Sequence, residues 1–209
     1  MTAVINMRTL YINETRVERR KRQTRVRIFQ NALRLFLEKG LDATTVAEIA
    51  DAADIGKGTF FTYYPTKESV FADVSARLVD LMEQSLGQAI ADGADTETRI
   101  EALFKPAVDW HAGNPVLSRY MLAAFMRDTA SIQADRPSQL RLYERLAHEL
   151  AAAQAAGGIT TEVGVPAATT AIAGTYFGSL GAWHAAETAS PLPAVFAATL
   201  QVVFRGLRP

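Results

Sequence analysis

Within the stretch Thr45 to Tyr64, TVAEIADAADIGKGTFFTYY, the residues able to make specific contacts are Lys57, Gly58, Thr59, Phe61, Thr62 and Tyr63. Phe60 and Tyr64 stand four positions apart, so a short helix can turn both inward and leave the other six pointing out. An outward face of lysine, two threonines, a glycine and two aromatics is unusual for a purely solvated surface. It suits the groove of a nucleic acid. Threonine and lysine offer hydrogen bonds, glycine permits close backbone approach, and an aromatic ring packs on a thymine methyl or a sugar. An ordinary pair of antiparallel helices is an equally open reading of the same residues.

The elements around this face must hold it. Val46, Ile49, Ala50 and Ala53 recur at helical spacing and predict a short helix with one apolar stripe. Thr44 or Thr45 can cap it, and Glu48 lies at capping-box distance from Thr45. Asp54-Ile55-Gly56 interrupts the pattern as a tight turn. A second helix then starts near Lys57 and must end before Pro65, because the residue preceding a proline is pushed out of the helical region. Two short helices across such a turn match the motif whose second helix enters the major groove. A longer helix from about Gln23 to Lys39, with Ile28, Ala32, Leu35 and Phe36 inward, packs on them and stops at Gly40. Ahead of it, Arg16, Arg19, Arg20, Lys21, Arg22, Arg25 and Arg27 face only Glu18. Such a run is either a solvated face or a basic arm that touches phosphates or reaches into a minor groove. Arg25, nearest the packed part, is the preferred phosphate contact. Lys67 stands in the first turn of the next helix, where a cation is unfavourable unless an anion is near.

Ile28 to Val74, IFQNALRLFLEKGLDATTVAEIADAADIGKGTFFTYYPTKESVFADV, resembles the DNA-binding domain of the TetR family of bacterial transcriptional regulators. The matching elements come in order: Glu38-Lys39-Gly40, Thr44-Thr45-Val46, Ile49-Ala50, Gly56-Lys57-Gly58-Thr59, the aromatics, and Lys67-Glu68. Gly56 stands where the family usually has serine, which removes a possible phosphate contact. Tyr64 stands where phenylalanine is usual. The resemblance implies a homodimer that binds a near-palindromic double-stranded DNA operator, most often as a repressor, and releases it when a small effector binds the body. It also implies a phosphate contact at Lys67, and Thr45 is expected to hold a phosphate beside it.

The remainder reads as all-helical, giving an all-α chain: a basic, partly mobile arm (1–21), a helix-turn-helix domain (22–74, motif 45–64), and a ligand-binding and dimerisation domain (75–209). In the last, Pro106 should kink or break one helix, and residues 129–137 read as a loop. Phe104, Trp110, Met121, Phe125, Tyr176 and Trp183 are candidates to line an apolar effector site, although most such residues serve as plain core. Gly174, Gly178 and Gly181 each cost helix stability and form a flat strip, which with Phe196, Leu200 and Val203 is the expected dimer interface.

Several functions are disfavoured. His111, His148 and His184 are scattered without metal-ligand spacing, and no HExxH, GxSxG or phosphate-cradling glycine loop occurs, so neither a metal, a cofactor nor catalysis is expected. A regulator without a small-molecule effector, or an α-helical enzyme, are the alternatives. The 209 residues contain no cysteine and no long apolar run, which fits a cytoplasmic protein without a membrane segment. Net charge is zero but polarised. Residues 1–70 hold twelve Lys/Arg against eight Asp/Glu, a surplus of four that residues 71–209 reverse. A basic head on an acidic body orients toward a polyanion.

Overall fold

The computed structural model describes residues 15–186 and 190–208. All regular elements among them are helical: α1 (Arg16–Lys39), α2 (Val46–Ala52), α3 (Lys57–Tyr63), a 3-10 turn (Glu68–Val70), α4 (Phe71–Ala91), α5 (Thr96–Gly113), α6 (Pro115–Arg127), α7 (Thr129–Ala155), α8 (Val165–Ala185) and α9 (Leu192–Leu207). The chain is all-α, as its periodicity predicts. No helix among the described residues is long and apolar enough to cross a membrane.

The chain forms two compact units. One is the chain up to Val74 together with Val116–Asp135; the other is Ser75–Pro115 together with the chain from Arg136 on. The sequence pattern instead puts all of 75–209 in one domain. Polar contacts explain why α6 and the start of α7 join the first unit. Asp128 accepts hydrogen bonds from the Thr66 hydroxyl (2.8 Å) and from Ser131. A Cβ built on Gly40 would stand 3.4 Å from the Tyr120 hydroxyl of α6.

In the first unit, Ile28, Phe36, Ile49, Ala50 and Phe60 are fully buried. Phe36 stacks on Phe71 at 5.6 Å between ring centroids, joining α1 to the start of α4. Gly40 ends α1 at φ +88°, a region closed to most side chains. Thr44, wholly buried, pins the turn that follows by donating to the Gly40 carbonyl at 2.8 Å.

Two helices begin earlier than the sequence predicts. α1 starts at Arg16 rather than near Gln23, because Thr15 and Glu18 form a complete capping box. The described part of the expected arm, residues 15–21, is therefore not an irregular arm; residues 1–14 lie outside the described residues. α7 starts at Thr129, where the sequence suggests a loop to Pro137. Asp128 accepts from the first-turn N–H groups of Ala130 and Ser131, which satisfies donors that helix starts leave open. Pro137 then sits inside the helix, and Pro106 likewise sits inside an unbroken α5.

In the second unit, α9 packs against both α8 and α5. Phe104, Leu146, Ile172 and Leu200 are fully buried there. α8 carries apolar or small residues on all sides. Its exposed side holds Ala171, Gly174, Phe177, Gly178 and Ala182. A Cβ added at Gly174, Gly178 or Gly181 would meet nothing within 4 Å.

Candidate nucleic-acid interface and body site

α3 is seven residues long and held from one side. Phe60 (0 % exposed) and Tyr64 (1 %) anchor it, their rings 5.8 Å apart. Lys57, Gly58, Thr59, Phe61 and Thr62 are exposed, and Tyr63 is half-buried. Phe61 keeps 54 % of its surface in solvent, a large apolar side chain that its own unit leaves half uncovered. Thr62 donates its hydroxyl to the Gly58 carbonyl (3.1 Å), which leaves its oxygen to accept and its methyl to face out. The face can therefore donate from Lys57 and Thr59, accept at Thr59 and Thr62, and pack with Phe61.

The supports of α3 are polar. Arg25 grips Asp73 with two nitrogens, Nε to Oδ2 at 2.8 Å and Nη2 to Oδ1 at 2.6 Å. Its guanidinium also lies 4.9 Å from the Tyr64 ring centroid. The Tyr64 hydroxyl donates to the same Asp73 carboxylate. Burial, followed by the Asp73 charge, pushes the Tyr64 hydroxyl far above its ordinary range. The Asp73 hydrogen bonds raise Arg25 as well. Arg25 on α1, Tyr64 at the end of α3 and Asp73 in the first turn of α4 thus form one cluster.

Arg25, expected at a phosphate, is here paired inside the unit. A planar guanidinium already paired bidentately and stacked on a ring has committed its best hydrogen bonds inside the unit. Lys67, also expected at a phosphate, likewise has partners inside the unit. Its ammonium donates to the carbonyls of Leu41 (2.7 Å) and Thr44 (2.8 Å), with Asp42 at 3.3 Å, and its side chain is 18 % exposed. The negative partner that offsets its place near the helix start is the ring of carbonyls between α1 and α2. Thr45 caps α2, accepting from the Glu48 N–H at 3.2 Å. Lys39, then Thr45, hold the Glu48 carboxyl down to about 2.

In the second unit the structure gathers Phe104 and Tyr176 of the proposed effector residues, 5.2 Å apart, with Phe196 5.4 Å from Phe104. His111 Nε2 lies 3.0 Å from the Tyr176 hydroxyl. Trp110 meets His111 edge-on at 5.0 Å, and Trp183 lies 4.6 Å from His184. Met121 and Phe125 are on α6, which belongs to the first unit. A groove of about 370 Å³ between α5 and α9 is lined by Ala102, Lys105, Val108, Pro193 and Phe196 among others, and by none of the six proposed effector residues. Phe196 and Leu200, assigned to a subunit interface, are buried within their own chain because α9 turns its apolar stripe onto α5 and α8. Val203 is half-buried, while Gly174 and Gly178 are exposed and Gly181 half-buried.

Burial, with His184 adding to it, pushes the His111 imidazole down from 6.5 to about 3. Between those values the unfolded chain holds a proton that the folded chain does not. Stability is therefore complete above pH 6.5 and is lost as pH falls toward 3, by at most about 1.4 kcal/mol per pH unit from this group. Urea unfolding at about pH 7 and about pH 4.5, on either side of the ordinary histidine value, should show that loss, and His111→Gln should remove its share.

The sequence missed Asp73 and Asp128. Asp128 carried a signal, an aspartate directly before a helical stretch, that Pro137 obscured. Asp73 carried none beyond its place beside the inward-facing Val70 and Val74.

Residues 28–74 match the family described as bacterial regulatory proteins, tetR family. The repressor KstR2 of Rhodococcus jostii is 35 % identical over 79 residues, 38 % of this chain and 39 % of that protein. The repressor SCO4008 of Streptomyces coelicolor is 29 % identical over 146 residues, 68 % of this chain and 71 % of its own. The KstR2 match thus spans about two fifths of that relative's length. The crystal structure of Thermus thermophilus FadR, a TetR-family transcriptional repressor in complex with lauroyl-CoA, superposes with a TM-score of 0.74 at 27 % identity, covering 87 % of this chain and 94 % of FadR. An α3 anchored by Phe60 and Tyr64 and the ordered match over 28–74 lead to one conclusion: residues 28–74 match the tetR family of bacterial regulatory proteins, and the helical architecture of the chain is similar to that of FadR.

Proposed function

We propose that this protein is a homodimeric transcriptional repressor that binds a near-palindromic operator and leaves it when a small, largely apolar effector binds the body. The observation that carries the reading is the exposed face of α3, with Phe61 half uncovered and the helix fixed from behind. Two such helices on a dimer read half-sites about 34 Å apart in successive major grooves. Lys57, Gly58, Thr59, Phe61, Thr62 and Tyr63 make the contacts. Relatives that match this chain are regulators rather than enzymes, which supports the class.

The dimer reading is supported by α8. A helix that is apolar all round is normally buried all round, and its outer side is exposed among the described residues. The interface is Gly174, Gly178 and Gly181 with exposed residues of α9 such as Val202, rather than the inward Phe196 and Leu200.

The effector engages the aromatic interior of the second unit, Phe104, Trp110, Tyr176 and Trp183, with the His111–Tyr176 pair as its polar point. FadR was crystallised with lauroyl-CoA, which makes long-chain acyl thioesters the first probes to try. Effector and DNA must weaken each other's binding by the same factor.

Selection of duplexes from a random pool tests the reading. The protein should enrich an inverted repeat and bind it far more tightly than random sequence. Thr59→Ala should weaken that binding about tenfold, in line with roughly 1–3 kcal/mol for a good base contact, without changing thermal stability. Enrichment of no motif, or equal binding to selected and random duplexes, would sink the proposal.

A further inference from the structure

We propose that the groove between α5 and α9 is a second ligand site, which takes an organic cation: an ammonium group carried on an apolar chain. It goes beyond the effector reading above, because none of the six residues proposed for the effector lines this groove.

The groove is built from one face of each helix. Thr98, Ala102, Lys105 and Asp109 follow one another by about one turn along α5, and Pro193 and Ala197 do the same on α9. From Thr98 to Asp109 the wall runs about 16 Å at 1.5 Å per residue, which gives room for an extended alkyl chain. The buried side chains of Val108 and Phe196 form the floor. Two alanines, Ala102 and Ala197, keep the walls low where larger side chains would fill the space. The volume of about 370 Å³ falls within the range of small-molecule sites, roughly 300–1,000 Å³. Phe196 also meets Phe104 at 5.4 Å and Tyr176 at 6.2 Å between ring centroids. Its ring thus separates the groove from the aromatic interior.

Charge selects the ligand. Of the charged residues in the lining, Lys105 and Asp109 pair with each other at 2.6 Å. Glu101 is half-buried and, among the described residues, makes no ion pair or hydrogen bond. Burial, followed by the charges of Glu97 and Asp95, raises its carboxyl above the ordinary range. A half-buried carboxylate with carboxylates for neighbours carries a cost that a cation beside it relieves. Thr98 stands one turn before Glu101, so its hydroxyl oxygen can accept a second hydrogen bond from the same ammonium. The apolar chain then lies over Ala102, Ala197 and the floor. A neutral head forgoes the charge-assisted bond, and an anionic head is repelled.

Octylammonium, octanol and octanoate test this as three heads on one chain. Each is titrated calorimetrically into the full-length protein, without DNA and below micelle-forming concentrations. Octylammonium should bind saturably. Its affinity should fall about fivefold in E101Q, the loss of a charge-assisted contact at a half-exposed site, while the affinities of octanol and octanoate should not fall. A102L/A197L, which fills the groove, should weaken octylammonium at least tenfold. E101Q adds no bulk, so its result stands even if the filled groove prevents folding. Absence of saturable octylammonium binding would overturn the inference. So would an affinity unchanged in E101Q, or one that falls there equally for octanol. Binding that survives the filled groove would also overturn it and place the amine elsewhere, the aromatic interior included. Each of these failures leaves the operator and effector readings standing. Conversely, a protein that selects no operator and binds no acyl thioester would defeat those readings and leave this site in place.

Discussion

Asp73→Ala is expected to cost about 3 kcal/mol of folding stability, read as a lower urea midpoint at unchanged slope, and to weaken operator binding at least tenfold. The carboxylate is only 11 % exposed and is the shared acceptor of Arg25 and Tyr64. Its loss strands a buried hydroxyl and a guanidinium together. Arg25 is 42 % exposed, so part of its charge stays solvated and the full cost of a buried, broken pair does not apply. Tyr64→Phe keeps the ring against Phe60 and should cost nearer ~1 kcal/mol. Operator binding falls because the end of α3 is tied to α1 and α4 through this one carboxylate. Arg25→Gln separates the cluster from a phosphate contact. It should lower stability yet leave the salt slope of DNA binding unchanged. A slope flatter by about 0.9 would return Arg25 to the DNA interface.

Gly174→Leu with Gly178→Leu should yield a monomer by light scattering at micromolar concentration and lower affinity for a two-half-site duplex by a hundredfold or more. Two linked heads bind far more tightly than one, because the second contact is made at high effective concentration. The paired alanine variants give the opposite sign within one chain. A Cβ at either position meets nothing within 4 Å, so each replacement should add about 1 kcal/mol of helix stability. A protein that stays dimeric with two leucines on this strip would place the interface elsewhere.

Fold class and the exposed face of α3 were legible because periodicity and caps act locally. Val46, Ile49 and Ala50 mark α2, and Phe60 with Tyr64 mark the buried side of α3, whatever else the chain does. The internal partners of Arg25 and Lys67 were not legible. A basic residue beside a DNA-reading helix has the same local signature whether it meets a phosphate or a carboxylate 48 positions away. The tyrosine at position 64, where phenylalanine is usual, was the one hint, since a buried hydroxyl needs an acceptor. The body was least legible, because an aromatic at helical spacing looks the same in a core as in a binding site. Phe196 and Leu200 show this: their apolar stripe has the pattern of an interface and is the inner side of α9.

The tryptophans give the molecule a one-sided optical signal. Both of its two indoles, Trp110 and Trp183, lie in the second unit, each beside a histidine ring. Indole fluorescence therefore arises only where the effector is proposed to sit, and the first unit contributes tyrosine alone. A spectral change on adding DNA would be communication from one unit to the other made visible without any label.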